Sequence, residues 1–344
     1  MRYGVPYQGS KNKIAGWVID NLPEDEILVD LFAGGCAVTH AALLSGKWNR
    51  IVANDIGDAP ELFCDAIEGK YADEKRWISR EDFQDLKDAD PYVSICWSFG
   101  NNRSNYLYGK EIEPWKKALH YARVFRDNSL LLEMGIDSDG SPSDIKTNET
   151  EYKEKYIRWW LSKQKYTSLA SNKLITNDKL NIKENKDKLG QYFISSLKKS
   201  ELKSIEKLQS AKRLEYVQNL SRVKRLQSLQ SLQTYKNNLT ITRKSYADVA
   251  IPDNAVVYAD PPYKGTDITC YKCEFDYAAF EKWLNEVPFM VIVSECNAPA
   301  RCVEIASIKK RLLCAQKKSR MNMEKLFVQE RFYNEYLQKM GRLF

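Results

Sequence analysis

The 344-residue chain has no run of apolar residues approaching the roughly twenty that a membrane-spanning helix needs. Its opening, MRYGVPYQGSK, has no apolar signal core either. Neither membrane insertion nor secretion is supported, and the cytoplasm is the expected location. Histidine is scarce, with His40 and His120 alone. Cys270 and Cys273 in CYKC have the spacing of half a zinc site, yet no second pair at comparable spacing stands elsewhere, and two histidines do little to complete it. No metal is expected. The 8 cysteines (36, 64, 96, 270, 273, 296, 302, 314) follow no regular framework, which fits reduced, mostly buried thiols better than disulfides.

With 43% apolar residues the chain has the material for a real core. Its net charge of +7 is unevenly spread. Residues 151–240 hold 20 Lys and Arg against 8 Asp and Glu, a net of +12, which leaves −5 for everything else. A polyanion carrying phosphates along its length suits such a segment, because each neutralised phosphate releases counterions. A lysine-rich helical face that only keeps a spacer in solution satisfies the same counts. From 202 to 232 an apolar residue falls at every third position, from Leu202 through Leu232. That spacing drifts round an α-helix and is not a coiled-coil heptad, so the stretch is expected to be helical but broken into pieces or wrapped by neighbours.

The first sixty residues alternate as α/β domains do. WVIDNLP reads as the end of a helix, EILVDLFAGG as a strand broken by glycines, AVTHAALLSG as a helix and RIVANDI as a second strand. A mostly helical stretch runs to about residue 240. The β signature then returns in LTIT, AVVYAD, PFMVIVSE and finally KLFVQERFYNEY, with a helix expected over FDYAAFEKWLNEV. One sheet domain is therefore expected from residues 1–60 together with 239–344, with residues 61–238 inserted into it as a helical, basic region.

Two motifs carry chemistry. In DLFAGGCAV, Gly34 and Gly35 sit between a strand and a helix, where the lack of side chains lets a ligand approach the backbone. Asp55 lies 21 residues beyond Gly34, the interval at which an acid reaches a nucleoside's ribose hydroxyls in this kind of fold. The full G-x-G-x-x-G phosphate cradle is missing, so a nucleoside without a pyrophosphate suits the turn best, and S-adenosylmethionine is the common one. The second motif is Asp260-Pro261-Pro262-Tyr263. Two prolines make a stiff bend that presents carbonyls, and the residue before a proline is held extended, so Asp260 is aimed. An acid and a carbonyl together can take both hydrogens of an exocyclic amine and free its lone pair for a methyl group, while Tyr263 offers a ring on which a base can stack. A base inside a duplex must first be rotated out of the stack.

These motifs, in this order, resemble the DNA N6-adenine methyltransferases, in particular the Dam-like group and its phage or prophage members. PYQGSKNKI is similar to the group's opening motif, which implies that Tyr7 and Lys11 touch the cofactor. DLFAGG matches its glycine motif at Asp30, Phe32 and Gly34, AND supplies the ribose acid at Asp55, and DPPY supplies the catalytic loop, with Asp260 also beside the cofactor. EKLFVQ resembles a late strand of the group. The resemblance implies a Rossmann-like α/β fold with a seven-stranded, mainly parallel sheet, S-adenosylmethionine as methyl donor and double-stranded DNA as partner. Cys36 stands where many members have another glycine. The middle of the chain does not clearly reproduce the group's recognition hairpin; its closest candidate is WSFGNNRSNYLYGK, with Asn101, Asn102, Arg103 and Lys110 as DNA contacts among aromatic residues. Methylation of cytosine N4 or of adenine in RNA, and a DNA-binding relative without activity, are the alternatives. The recognised DNA sequence and any partner restriction endonuclease are not legible.

Overall fold

The computed structural model describes residues 2–110, 112–133, 217–263, 275–311 and 321–342. These divide into two compact units: residues 1–74, 78–106 and 222–344 form the one that contains the sheet, and 75–77 with 107–221 form the other. CYKC and the apolar positions from 202 to 214 lie outside the described residues.

Seven strands make one sheet in the order β3-β2-β1-β4-β5-β7-β6. They are β1 (Ile27–Asp30), β2 (Arg50–Asn54), β3 (Leu239–Thr242), β4 (Ala255–Ala259), β5 (Val291–Glu295), β6 (Cys302–Arg311) and β7 (Met321–Gln329). The first five pair parallel, while β7 runs antiparallel to both β5 and β6. All four residues of β1 are buried, the mark of a parallel strand covered on both faces. Helices α1 (Ala15–Asp20), α2 (Ala37–Ser45) and α3 (Ala59–Ile67) follow the expected alternation. On one side of the sheet, Ile27, Val29, Leu31, Val257, Ala259, Val291 and Val293 pack with Phe280, Leu284 and Val287 of the helix Tyr277–Glu286 and the residue that ends it. Truncating Leu284, which is fully buried there, would cost on the order of 2–5 kcal/mol.

Two elements differ from the reading of the sequence. β6 is not legible as a strand in the sequence, because it lies at the sheet edge with the side chains of Cys302 to Lys309 half-exposed or exposed and has no continuous apolar run. KLFVQERFYNEY is a strand only as far as Gln329; beyond it the chain makes a 3₁₀ turn and the helix Tyr333–Lys339, whose Tyr336 is buried. Where it is described, the three-residue repeat is α-helical through Leu229 and enters a 3₁₀ helix only at Leu232. The helix Gln218–Leu229 gives way to a 3₁₀ helix over Gln230–Asn238, in which three residues make one turn. Leu226, Leu229 and Leu232 are all buried.

The sheet order fixes the site. It reverses between β1 and β4, so the segments leaving their carboxyl ends diverge and open a crevice there. Asp30, the last residue of β1, is the register partner of Tyr258, two residues before Asp260. Chain segments 230 residues apart thus become neighbours.

Candidate active site

The turn after β1 is built from contacts that leave no room for side chains. Gly34 has φ +47, and a Cβ on it would lie 3.0 Å from the Tyr7 ring; one on Gly35 would lie 2.5 Å from the Tyr7 Cβ. Gly4, at φ +69, packs still closer, since a Cβ there would meet the Gly35 carbonyl oxygen at 2.1 Å. The Val5 N–H donates to that same oxygen at 2.8 Å. Cys36 caps α2 at φ +56, a left-handed position that a glycine would occupy without strain. The opening motif is thereby laid over the glycine turn.

Asp55 closes the turn from the other side. Its Oδ2 accepts from the Gly34 N–H at 2.8 Å and its Oδ1 from the Gly57 N–H at 2.7 Å. Burial pushes its carboxyl above the usual range, opposed by those two backbone donors. Asp30 is buried as well, accepts from Thr39 Oγ1 at 2.7 Å and is pushed up to about 7, by burial first and then, against the Thr39 hydrogen bond, by the charges of Asp260 and Asp55.

A pocket opens between these elements. Tyr7, Lys11, Asp30, Phe32, Gly34 and Asp260 all line it, so six of the residues singled out in the sequence share one cavity. Lys11 Nζ donates to Asp260 Oδ1 at 2.6 Å and is only 4% exposed. Burial works against its charge, but the Asp260 and Glu324 carboxylates outweigh burial and hold its pKa above the ordinary lysine value. The same ammonium lies 4.6 Å above the Tyr263 ring. Pro261 and Pro262 are buried. Pro261 also walls a second cavity of about 170 Å³ with Tyr277, Phe280, Val293 and Glu295. Burial raises the Glu295 carboxyl to about 7, against the Cys296 N–H and with the Asp260 charge adding to the rise.

Glu324 was missed in the sequence. It is buried on β7, accepts from Ser294 Oγ at 2.8 Å and from the Tyr263 hydroxyl, and lies 3.3 Å from Lys11 Nζ. A signal was present: Glu324, Leu326 and Val328 share a strand face by alternation, and the latter two are buried. An acid in register with core residues marks an inward-facing charge.

The candidate DNA contacts fall differently. Residues 98–106 form a loop closed by a bridge between Ser98 and Tyr106. The Asn101 amide donates to the Ile95 carbonyl at 2.8 Å, and the Asn102 side-chain oxygen accepts from the Ser104 and Asn105 N–H groups at 3.0 Å. Arg103 pairs with Asp58 at 2.5 Å and donates to Ser94 Oγ at 3.2 Å. Its other terminal nitrogen lies 3.8 Å from where a Gly57 Cβ would stand, on the turn that Asp55 holds. Lys110 is exposed, and so is Phe99, at 60%. Two arginines of the basic segment are also tied into the fold: Arg222 donates to the Cys96 and Ser98 carbonyls at 2.7 and 2.9 Å, and Arg225 donates to the Gly4 carbonyl at 2.8 Å and to that of Tyr3. Cys36, Cys64, Cys96, Cys296 and Cys302 are free thiols. Among the described residues no helix is long and apolar enough to cross a membrane.

No curated protein matches the chain. Residues 7–298 match the family model of the D12 class N6 adenine-specific DNA methyltransferases, a span that takes in the glycine turn, Asp55 and the DPPY loop. That match covers most of the 344 residues, and the chain therefore belongs to this family, whose enzymes carry a methyl group from S-adenosylmethionine to adenine N6 in DNA.

Proposed function

We propose that the chain methylates an adenine everted from double-stranded DNA, that Asp260 and the Pro261–Pro262 bend grip its amino group, and that residues 1–60 with 239–344 do this chemistry while recognition of the DNA lies in residues 61–238. The observation that carries the reading is the 2.6 Å contact between Lys11 and Asp260, which joins the opening motif to the DPPY loop at the pocket beside Gly34. The pocket's chemistry fits the donor. Asp30 and Asp260 face a ligand that bears positive charge, and the glycine turn under Tyr7 leaves backbone accessible where a side chain would block it. Tyr7, Lys11, Asp30, Phe32, Gly34 and Asp55 are the residues that would hold it. When bound, S-adenosylmethionine supplies an electrophilic methyl on a sulfonium.

The remaining steps belong to the protein and the base. The cavity beyond Pro261 is of a size to receive a purine. The Asp260 carboxylate accepts one amino hydrogen and a carbonyl of the proline bend accepts the other, which draws the nitrogen toward tetrahedral geometry. Asp260 and the bend carbonyl would hold the amino nitrogen against the methyl of the bound donor, and the Asp260 carboxylate would take up the proton that the nitrogen gives up. Positioning and electrostatics supply the rate, without a covalent enzyme intermediate. The cytoplasm is the compartment we infer for this methylation of DNA. Mass spectrometry of nucleosides from DNA and RNA incubated with the chain and the donor tests the reading. N6-methyladenine in DNA is expected, and its absence alongside N4-methylcytosine, methylated RNA or no product at all would reject it. Asp260→Ala should lower methylation about 100- to 1,000-fold while cofactor binding persists in part, as loss of a preorganised hydrogen-bond partner does elsewhere.

A further inference from the structure

We propose that Glu324 is a positioning residue of the catalytic loop, fixing the Tyr263 ring by its hydroxyl and sharing the Lys11 ammonium with Asp260. The inference rests on the function proposed above. Three donors converge on a single Glu324 oxygen, Oε1: the Tyr263 hydroxyl, Ser294 Oγ at 2.8 Å and Lys11 Nζ at 3.3 Å. None of the three is adjacent to Glu324 in sequence, and two of them, Tyr263 and Lys11, belong to the motifs at the pocket. Glu324 itself is 3% exposed, on a strand hydrogen-bonded to both neighbours. A carboxylate taken out of water at that depth is costly unless the charge is paired and hydrogen-bonded. Here the pairing is spent on the loop that aims Asp260.

Two consequences follow. The first concerns the ring of Tyr263. A tyrosine tethered only by its backbone turns freely about two side-chain bonds. Hydrogen bonding at the far end of the ring to a group embedded in the sheet removes that freedom, which is how a supporting residue keeps a site within its working geometry. The Ser294 hydroxyl lies 3.3 Å from the same phenol oxygen, so the ring tip is held in a small polar cluster on β5 and β7.

The second concerns charge. Lys11 alone against Asp260 would make a closed ion pair, and a neutralised carboxylate is a weaker acceptor for an incoming amino group. With Glu324 also against Lys11, one cation faces two anions. Asp260 then keeps more of its accepting strength for the amino group. Lys11 in turn stays charged and fixed over the Tyr263 ring. Glu324 is not expected to touch the base or the methyl group; it acts through Tyr263 and Lys11.

The experiment compares the wild-type chain with Glu324→Gln, Glu324→Ala, Tyr263→Phe and the double variant Glu324→Ala/Tyr263→Phe. Single-turnover methylation of DNA is measured beside calorimetric affinity for S-adenosylmethionine without DNA and the melting temperature. Glu324→Gln keeps an acceptor oxygen for Tyr263 and Ser294 and removes only the charge, so its rate should fall about tenfold with cofactor affinity changed less than about threefold. Glu324→Ala should lose about a hundredfold, and its combination with Tyr263→Phe should lose clearly less than the product of the two single effects, since both remove the same contact. A merely structural role would lower the melting temperature and leave the two substitutions multiplicative. Multiplicative losses, or a Glu324→Gln rate equal to wild type, overturn the proposal; if Glu324→Ala does not fold, the Glu324→Gln rate decides alone. Wild-type chain that forms no N6-methyladenine overturns the functional reading and this inference with it, whereas an active wild type with an indifferent Glu324 overturns the inference only.

Discussion

The pH dependence of cofactor binding is the sharpest consequence of the pocket. Asp30 is enclosed at the end of β1 and its carboxyl is pushed up to about 7, chiefly by burial. A ligand bearing positive charge, entering the pocket that Asp30 lines, favours the ionised form and returns the group toward its ordinary range near 4. The group is therefore partly protonated in the free protein at neutral pH and ionised in the complex. Binding releases a proton, and affinity must rise with pH. With a free value of about 7, roughly nine-tenths of Asp30 is protonated at pH 6 and one-tenth at pH 8, so affinity should tighten about tenfold across that interval. Asp30→Asn should bind more weakly and lose that slope. Any titration of the donor's own amino group is common to both proteins and cancels in the comparison. Calorimetry in two buffers of different ionisation enthalpy counts the released proton directly. If wild type and Asp30→Asn show the same slope, Asp30 is not the group that titrates and the charge complementarity assigned to the pocket is wrong. The sign for folding runs the opposite way: a carboxyl raised in the folded state contributes stability that is full below about pH 4 and lost as pH rises through about 7, at a cost on the order of 4 kcal/mol once ionised. The free Asp30→Asn protein should accordingly melt higher than wild type at pH 8 and gain less at pH 5.

Two further perturbations separate structure from recognition. Arg103→Ala removes the ion pair with Asp58 beside the turn that Asp55 holds, and should weaken cofactor affinity several-fold while altering the salt dependence of DNA binding little; an unchanged cofactor affinity with a shallower salt slope would return Arg103 to the DNA. Gly4→Ala places a methyl 2.1 Å from the Gly35 carbonyl oxygen at φ +69, where neither backbone can yield cheaply, and should cost about 3 kcal/mol or more by chemical denaturation. A loss below 1 kcal/mol would mean that the opening motif is not packed on the glycine turn as described.

What the sequence shows of the pocket it shows through local motifs. Each motif is local: a glycine turn needs its glycines, an acid aimed by two prolines needs those residues in line, and a parallel strand buried on both faces shows as an uninterrupted apolar run such as Ile27-Leu28-Val29. None of these depends on what lies across the molecule. The loop at 98–106 shows the limit. Asn101, Asn102 and Arg103 have the right chemistry to read bases; the Asn102 side chain is taken up locally by the Ser104 and Asn105 N–H groups, whereas only the three-dimensional placement of Ile95, Asp58 and Ser94 reveals the partners of Asn101 and Arg103.

By itself, then, the sequence determined the α/β class, the glycine turn with its acid at Asp55 and the rigid bend after β4, because local sterics and period set all of them. Tertiary structure alone decided that Asp260 meets Lys11, that Glu324 reaches back to Tyr263 from a strand some sixty residues later, and that Arg103 turns toward Asp58. Those pairings are made by strand order and by burial, which bring distant residues within hydrogen-bonding reach and oblige buried charges to find partners, and neither leaves a fixed spacing along the chain.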